Sequence, residues 1–154
     1  MNSHSRQSKK RERWFAKGQA IAEMAAVTPV LVLLLLAAVD FGRLYYTNIE
    51  VVNAARAGAQ YGSQSVTTAA NAPGMRAAAL QDASNVPGMS AVGSQCTCET
   101  GSNVTACPAS YCTNSPNATF VIVNTTATYS TIVSYPGIPH TTTLTGKAVM
   151  IVEE

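Results

Sequence analysis

The sequence predicts an α+β protein in which one long N-terminal helix precedes a small antiparallel, β-rich domain that includes one short helix. An apolar run extends from Ala20 to Val39, and an amphipathic period continues from it to about Gly62. The C-terminal part is rich in Val, Ile, Thr and Tyr. These observations predict a basic leader at 1–18, a long helix at 19–62, a linker at 63–72 and an α+β domain at 73–154.

Residues 20–39 are predicted to span a membrane. They contain one charged residue, Glu23, and about 20 apolar residues in a helix match the hydrocarbon thickness of a bilayer. The first seventeen residues carry six Lys/Arg and one acid, a net charge of +5, whereas the remainder carries −3. Because short basic segments stay in the cytoplasm, the chain after Asp40 is expected outside it. The requirement for a cytoplasmic N-terminus is a sufficient explanation of the basic residues, so no nucleic-acid partner is expected.

Glu23 calls for an explanation, because a carboxylate at the centre of a spanning helix costs about 2.5 to 3.5 kcal/mol. In one interpretation it lies at the headgroup boundary and pairs with Lys17. In the other, the bond after Gly18 is cut, and Glu23 neutralises the new α-amino group of Gln19, either in its own chain or in a neighbouring subunit.

A basic leader, Gly18 and a glutamate five residues later resemble the processing site of type IV prepilins. The stretch from Gly18 to Gly62 also resembles the TadE-like domain of tight-adherence (Flp) pilus assembly proteins. Gln19 stands where many type IV pilins have a bulky apolar residue. The matching positions are Glu23, Pro29, Asp40, Gly42, Arg43 and the element Ala54-Ala55-Arg56-x-Gly58-Ala59.

The resemblance implies a minor pilin or pseudopilin and not an enzyme. Its partners would be the membrane, a prepilin peptidase, other pilin or pseudopilin subunits and the pilus assembly platform. It would lie in a bacterial inner membrane as a single-pass protein with a cytoplasmic N-terminus and a periplasmic domain, and after processing in an extracellular pilus. One alternative is an uncleaved, membrane-anchored periplasmic assembly factor. A secreted binding protein with a leader cut near Ala38 is a third, less favoured interpretation.

Beyond the span, small residues at Ala54, Gly58 and Gly62 form a stripe on the helix. They predict either close approach of a second helix or of the protein's own sheet, or ordinary small core contacts.

Within the span, Pro29 predicts a kink or local unwinding. The outer domain is expected to contain a helix at 73–84 with Asn71 as its cap, a turn-rich segment at 84–94, and strands at 119–134 and 141–152.

Four cysteines lie close together, and an even number in a small exported domain favours two disulfides over a zinc site. The sequence leaves the pairing open, although a bond between Cys96 and Cys98 would be strained. A nested pairing, Cys98 with Cys107 and Cys96 with Cys112, would staple a hairpin. Only two histidines occur, and phosphate-binding glycine motifs are missing, so neither a metal nor a cofactor is expected.

Overall fold

A computed structural model describes residues 3–99, 102–113, 115, 117–135 and 137–153, with side chains from residue 19 onward. Two compact units divide the chain, Met1–Phe41 and Gly42–Glu154. The structure is α+β, with a long helix followed by short helices and a three-stranded antiparallel sheet. The predicted fold class is therefore confirmed. Met1 and Asn2 of the predicted leader lie outside the described residues.

The first helix, α1, extends over Ser3–Ser63. Its C-terminal end is within one residue of the predicted end at Gly62, but it begins well inside the predicted leader. Pro29 lies within α1, and the helix is not interrupted there. Of the two predicted alternatives at Pro29, local unwinding is therefore not observed, and a kink stays a prediction.

Two short helices follow. Helix α2, Val66–Ala69, lies within the predicted linker, and Ser65 and Thr68 form a reciprocal capping box at its N-terminus. Helix α3, Ala72–Asp82, matches the predicted short helix, and the Asn71 side chain accepts a hydrogen bond from the Gly74 N–H at 3.0 Å. This bond satisfies one of the free N–H groups at the helix start, as the sequence predicts for Asn71.

The sheet contains β1 (Ser90–Thr97), β2 (Thr119–Ser130) and β3 (Thr141–Ile151) in the order β1-β2-β3. Both neighbouring pairs are antiparallel, and Val123 stands opposite Gly93 in β1 and Ala148 in β3. Helix α4, Ala109–Cys112, lies between β1 and β2. The strands β2 and β3 were predicted, whereas β1 replaces part of the segment predicted as turns.

The second unit, Gly42–Glu154, is called the outer unit here. Its core lies between one face of the sheet and the part of α1 from Val51 to Ser63, the second half of α1. Along β2 every second residue from Val121 to Tyr129 is buried, which is the period of a strand with one covered face. Helix α3 adds Met75, which is fully buried. The residues from α1 in this core are Val51, Ala54, Ala55 and Ala59.

The backbone of α1 approaches its neighbours closely because the contact residues are small. A Cβ atom at Gly58 would lie 2.8 Å from the Met75 carbonyl oxygen, and one at Gly62 would lie 2.5 Å from the Met75 Sδ. On the sheet side, the buried Thr125 hydroxyl donates to the Val51 carbonyl at 2.7 Å. Of the predicted alternatives for the small-residue stripe, close approach to the protein's own sheet and α3 is the one observed.

Gly146 is the position at which a single added methyl group tests this packing. A Cβ there would lie 2.5 Å from both the Val51 carbonyl oxygen and the Thr125 Oγ1. We expect Gly146→Ala to lower the free energy of unfolding of the outer unit by about 1 to 3 kcal/mol, because helix and sheet must separate. Chemical unfolding in detergent micelles, followed by circular dichroism, measures this loss.

Gly42→Ala is the matched control, because among the described residues no atom beyond the adjacent residues and the nearby helix backbone lies within 4 Å of the position of its added Cβ. Alanine at a helical position is favoured over glycine by about 0.5 to 1 kcal/mol, so this variant should be no less stable than the original chain. Equal stability of the two variants would contradict the close packing of α1 on the sheet.

Candidate functional site

The candidate assembly surface is the segment of α1 from Gln19 to Leu35, called the exposed half of α1 here. From Gln19 to Leu35 every side chain is exposed, on all sides of the helix, and the large apolar ones are between about half and 70% exposed. Among the described residues one helix, Gln19–Ser63, is long and apolar enough to cross a membrane. This observation is consistent with membrane anchoring. The exposed large apolar residues of this half are Ile21, Met24, Val27, Val30, Leu31, Val32, Leu33, Leu34 and Leu35.

Glu23 and Gln19 contact each other one helical turn apart. The Gln19 Nε2 donates a hydrogen bond to the Glu23 Oε1 at 3.2 Å, and both side chains are exposed. Side chains at i and i+4 lie on the same face of a helix, which explains why these two meet. A carboxylate offers about four acceptor sites. The bond to Gln19 therefore leaves Glu23 able to accept a further donor.

Thr28 and Pro29 lie within the exposed half of the helix. Pro29 has no N–H, so it cannot donate to the carbonyl of Ala25 one turn earlier. The Thr28 hydroxyl donates a hydrogen bond to the Met24 carbonyl of the same helix at 2.6 Å. The Thr28 hydroxyl is therefore paired even in an apolar environment. Both residues are accommodated within a continuous helix.

Three predicted site residues lie where α1 passes from one unit to the other. Asp40 is buried, with 5% of its surface exposed. The Arg43 guanidinium lies 5.8 Å from the centre of the Tyr129 ring at the end of β2, a distance suited to a cation–π contact. Gly42 is exposed. The sequence did not predict a role for Tyr129, because its contact with Arg43 depends on the antiparallel alignment of β2 with α1.

The structure joins Cys96 to Cys107 and Cys98 to Cys112 in two disulfides, and the described residues contain no free cysteine. The nested pairing is not observed. Thr97 forms a parallel bridge with Ala106, so the returning chain runs in the same direction as the end of β1. In a parallel arrangement the earlier cysteine meets the earlier partner, whereas an antiparallel hairpin would produce nested bonds.

The sulfur atoms of Cys98, Cys107 and Cys112 lie within 4.8 Å of one another. Because each of these three cysteines is part of a disulfide, none carries a thiolate with which to bind a metal in this state. The segment that they fix also lies against the sheet. The Tyr111 ring is 5.8 Å from the Phe120 ring, and the Lys147 Nζ is 5.9 Å from the Tyr111 ring. The disulfides therefore hold the segment after β1 on the sheet face that α1 does not cover.

Residues 18–60 match the family model of TadE-like proteins. This match confirms the resemblance predicted from the sequence. It includes the Gln19–Glu23 pair, Pro29, Asp40, Gly42 and Arg43, and it ends three residues before α1 ends. The sheet and all four cysteines lie outside the matched range. No curated protein and no solved structure matches the chain.

The interleaved disulfide pairing can be tested by stepwise reduction and alkylation at acidic pH. Exchange is slow under these conditions because little thiolate is present. We expect Cys96 to be released together with Cys107, and Cys98 together with Cys112. Release of Cys96 together with Cys112 would instead support the nested pairing and contradict the parallel return of the chain at Thr97.

Proposed function

We propose that this chain is a minor pilin or pseudopilin of a tight-adherence pilus or a related secretion system, which assembles through the exposed half of α1. The observation that carries the proposal is the segment of α1 from Gln19 to Leu35, which exposes apolar side chains on all sides of the helix and contains one carboxylate, Glu23. The family match covers this same helix and supports a role in tight-adherence pilus assembly. The proposed role is structural and not enzymatic.

The apolar side chains in the exposed half of α1 require an apolar environment, and two kinds of environment fit their chemistry. Complete burial of one aliphatic side chain contributes about 1.5 to 3 kcal/mol, so a few of the nine large exposed side chains outweigh the cost of inserting Glu23. Lipid would provide this environment before assembly. Helices of neighbouring subunits would provide it in the filament, where the apolar side chains exchange one apolar environment for another.

Glu23 needs a cation once its surroundings exclude water. In the proposed maturation a prepilin peptidase hydrolyses the bond between Gly18 and Gln19 on the cytoplasmic side, which leaves an α-ammonium group on Gln19. This cation would lie one helical turn from Glu23 of its own chain and, in an assembly, within reach of Glu23 on a neighbour. Pairing in the assembled state would offset the desolvation of both charges and would favour subunits in register.

The outer unit would then face the periplasm and carry what distinguishes this subunit from others. Its sheet and disulfide-bonded segment lie outside the range that matches the family model. We therefore assign recognition of other pilin subunits or of the assembly platform to this unit. Anchoring and assembly are assigned to α1.

A second candidate function is an uncleaved, membrane-anchored assembly factor that recruits other pilus components. The hydrogen bond from Gln19 supports it, because in the intact chain Glu23 already has a neutral donor 3.2 Å away. In that case Glu23 needs no new amine, and the leader would remain attached as a cytoplasmic segment. The two candidates differ in one observable, the N-terminal residue of the protein in the membrane.

Intact-mass measurement of the membrane-bound protein distinguishes the two candidates. We expect a mature chain that begins at Gln19, because the leader, Gly18 and Glu23 have the arrangement of a prepilin processing site. Gly18→Ala should still be processed, whereas Gly18→Leu should accumulate as the full-length precursor if the peptidase requires a small residue. A wild-type chain that begins at Met1 would contradict the pseudopilin proposal and favour the anchored factor.

Substitution of Glu23 tests its role in assembly. We expect Glu23→Ala to be inserted and processed but to be missing from sheared pili, since the change removes the ion pair and keeps the helix apolar. The matched control is Glu50→Ala, which removes a half-buried carboxylate from the same helix beyond the predicted span, where Glu50 accepts a hydrogen bond from the Asn85 side chain. Normal incorporation of the Glu23→Ala subunit would show that this charge is only interfacial.

A further inference from the structure

The contact between Gln19 and Glu23 has a chemical consequence for a chain cut after Gly18. An N-terminal glutamine is reactive, because its α-amine can attack its own side-chain amide carbon Cδ. A bond then forms between the α-nitrogen and Cδ, the bond between Cδ and Nε2 breaks, and Nε2 leaves as ammonia with a proton from the amine. The product is a five-membered lactam without a positive charge. This reaction consumes no other reagent.

Cyclisation would remove the cation that the proposed assembly requires. The α-ammonium group of Gln19 is the group that Glu23 would neutralise, and a lactam nitrogen cannot carry that charge. Each cyclised subunit would then place an unpaired carboxylate in an apolar environment. A contact that slows cyclisation of Gln19 would therefore preserve the positive charge of the mature N-terminus.

The structure contains a contact of this kind. The Gln19 Nε2 is held by the Glu23 Oε1 at 3.2 Å, so the amide extends along the helix toward the following turn. To cyclise, the side chain must release this bond and fold back onto its own nitrogen. Glu23 also favours the protonated amine, which is not a nucleophile, because an opposite charge nearby stabilises the charged form. Both effects act in the same direction.

We propose that Glu23 holds the Gln19 side chain and thereby protects the mature N-terminus against cyclisation to a lactam. The inference rests on the proposed cleavage after Gly18 and adds a second role for Glu23, which is chemical protection in addition to ion pairing. Gln19 is thus a modification site whose reaction is controlled by its neighbour one turn away. A side-chain pair of this type favours the held geometry about two-fold in water, and more where few water molecules compete.

The test begins with a chain released directly at Gln19. A fusion partner removed by a protease that cuts immediately before Gln19 yields this N-terminus whether or not the cell processes the protein. The core residues of the outer unit start at Val51, so removal of residues 1–18 leaves them in place. The protein is incubated in lipid vesicles, and intact mass follows the loss of one ammonia molecule over time for the original chain, Glu23→Gln and Glu23→Ala.

We expect Glu23→Ala to lose ammonia at least about two-fold faster than the original chain, since both the hydrogen bond and the charge are removed. Glu23→Gln should be intermediate, because its amide oxygen can still accept from the Gln19 Nε2 but carries no charge. Gln19→Ala is the control for the site of reaction, because it has no side-chain amide that the α-amine could attack. It should therefore show no such loss.

Equal rates in the original chain, Glu23→Gln and Glu23→Ala would overturn the proposal. A faster reaction in the original chain would also overturn it, because Glu23 would then promote cyclisation. The mass of the protein from cell membranes separates this inference from the proposed function. A chain that begins at Met1 would refute processing alone, whereas a mature chain that has already lost ammonia would refute protection alone.

Discussion

Close approach of the second half of α1 to the sheet is the constraint on which the outer unit depends. Small residues on the helix, together with Gly146 on β3, allow the two backbones to lie near each other, and the buried Thr125 hydroxyl bonds the Val51 carbonyl across the contact. Larger side chains would separate the layers and expose the buried face of β2. A sheet of three strands has little apolar surface of its own, so α1 acts as its second layer.

The same helix therefore serves two environments. From Val51 onward it has one buried face, whereas from Gln19 to Leu35 no side chain is buried by the described residues. The same difference is visible in the sequence, where an uninterrupted apolar run from Ala20 to Val39 is followed by an amphipathic period to about Gly62. Lipid or neighbouring helices can cover the first half, and the sheet covers the second. A segment long and apolar enough to cross a membrane and the support of the outer unit thus belong to one continuous helix.

Strong local signals made much of this structure predictable. The periodicity of α1, the Asn71 cap and the β-branched residues of β2 and β3 each indicate one kind of element, and all are observed. Strand β1 lacks such a signal, because Ser90–Thr97 is rich in small and polar residues and becomes a strand by pairing with β2. The disulfide pairing depends likewise on the parallel return at Thr97, which no local pattern encodes. The contact of Gln19 with Glu23 follows from helical spacing alone, because the two side chains are one turn apart.

The central claim, that α1 changes from a fully exposed to a half-buried helix within one element, can be tested by a spin-label scan of the isolated protein in lipid bilayers. Single cysteines introduced from residue 21 to residue 63 would carry the label, and oxygen accessibility would be measured at each position. We predict high accessibility without periodicity from 21 to 35. From 51 to 63 accessibility should vary with a period of about 3.6 residues. A protected stripe that repeats through 21 to 35 would contradict the account, because it would mean that this half also packs on protein within a single subunit.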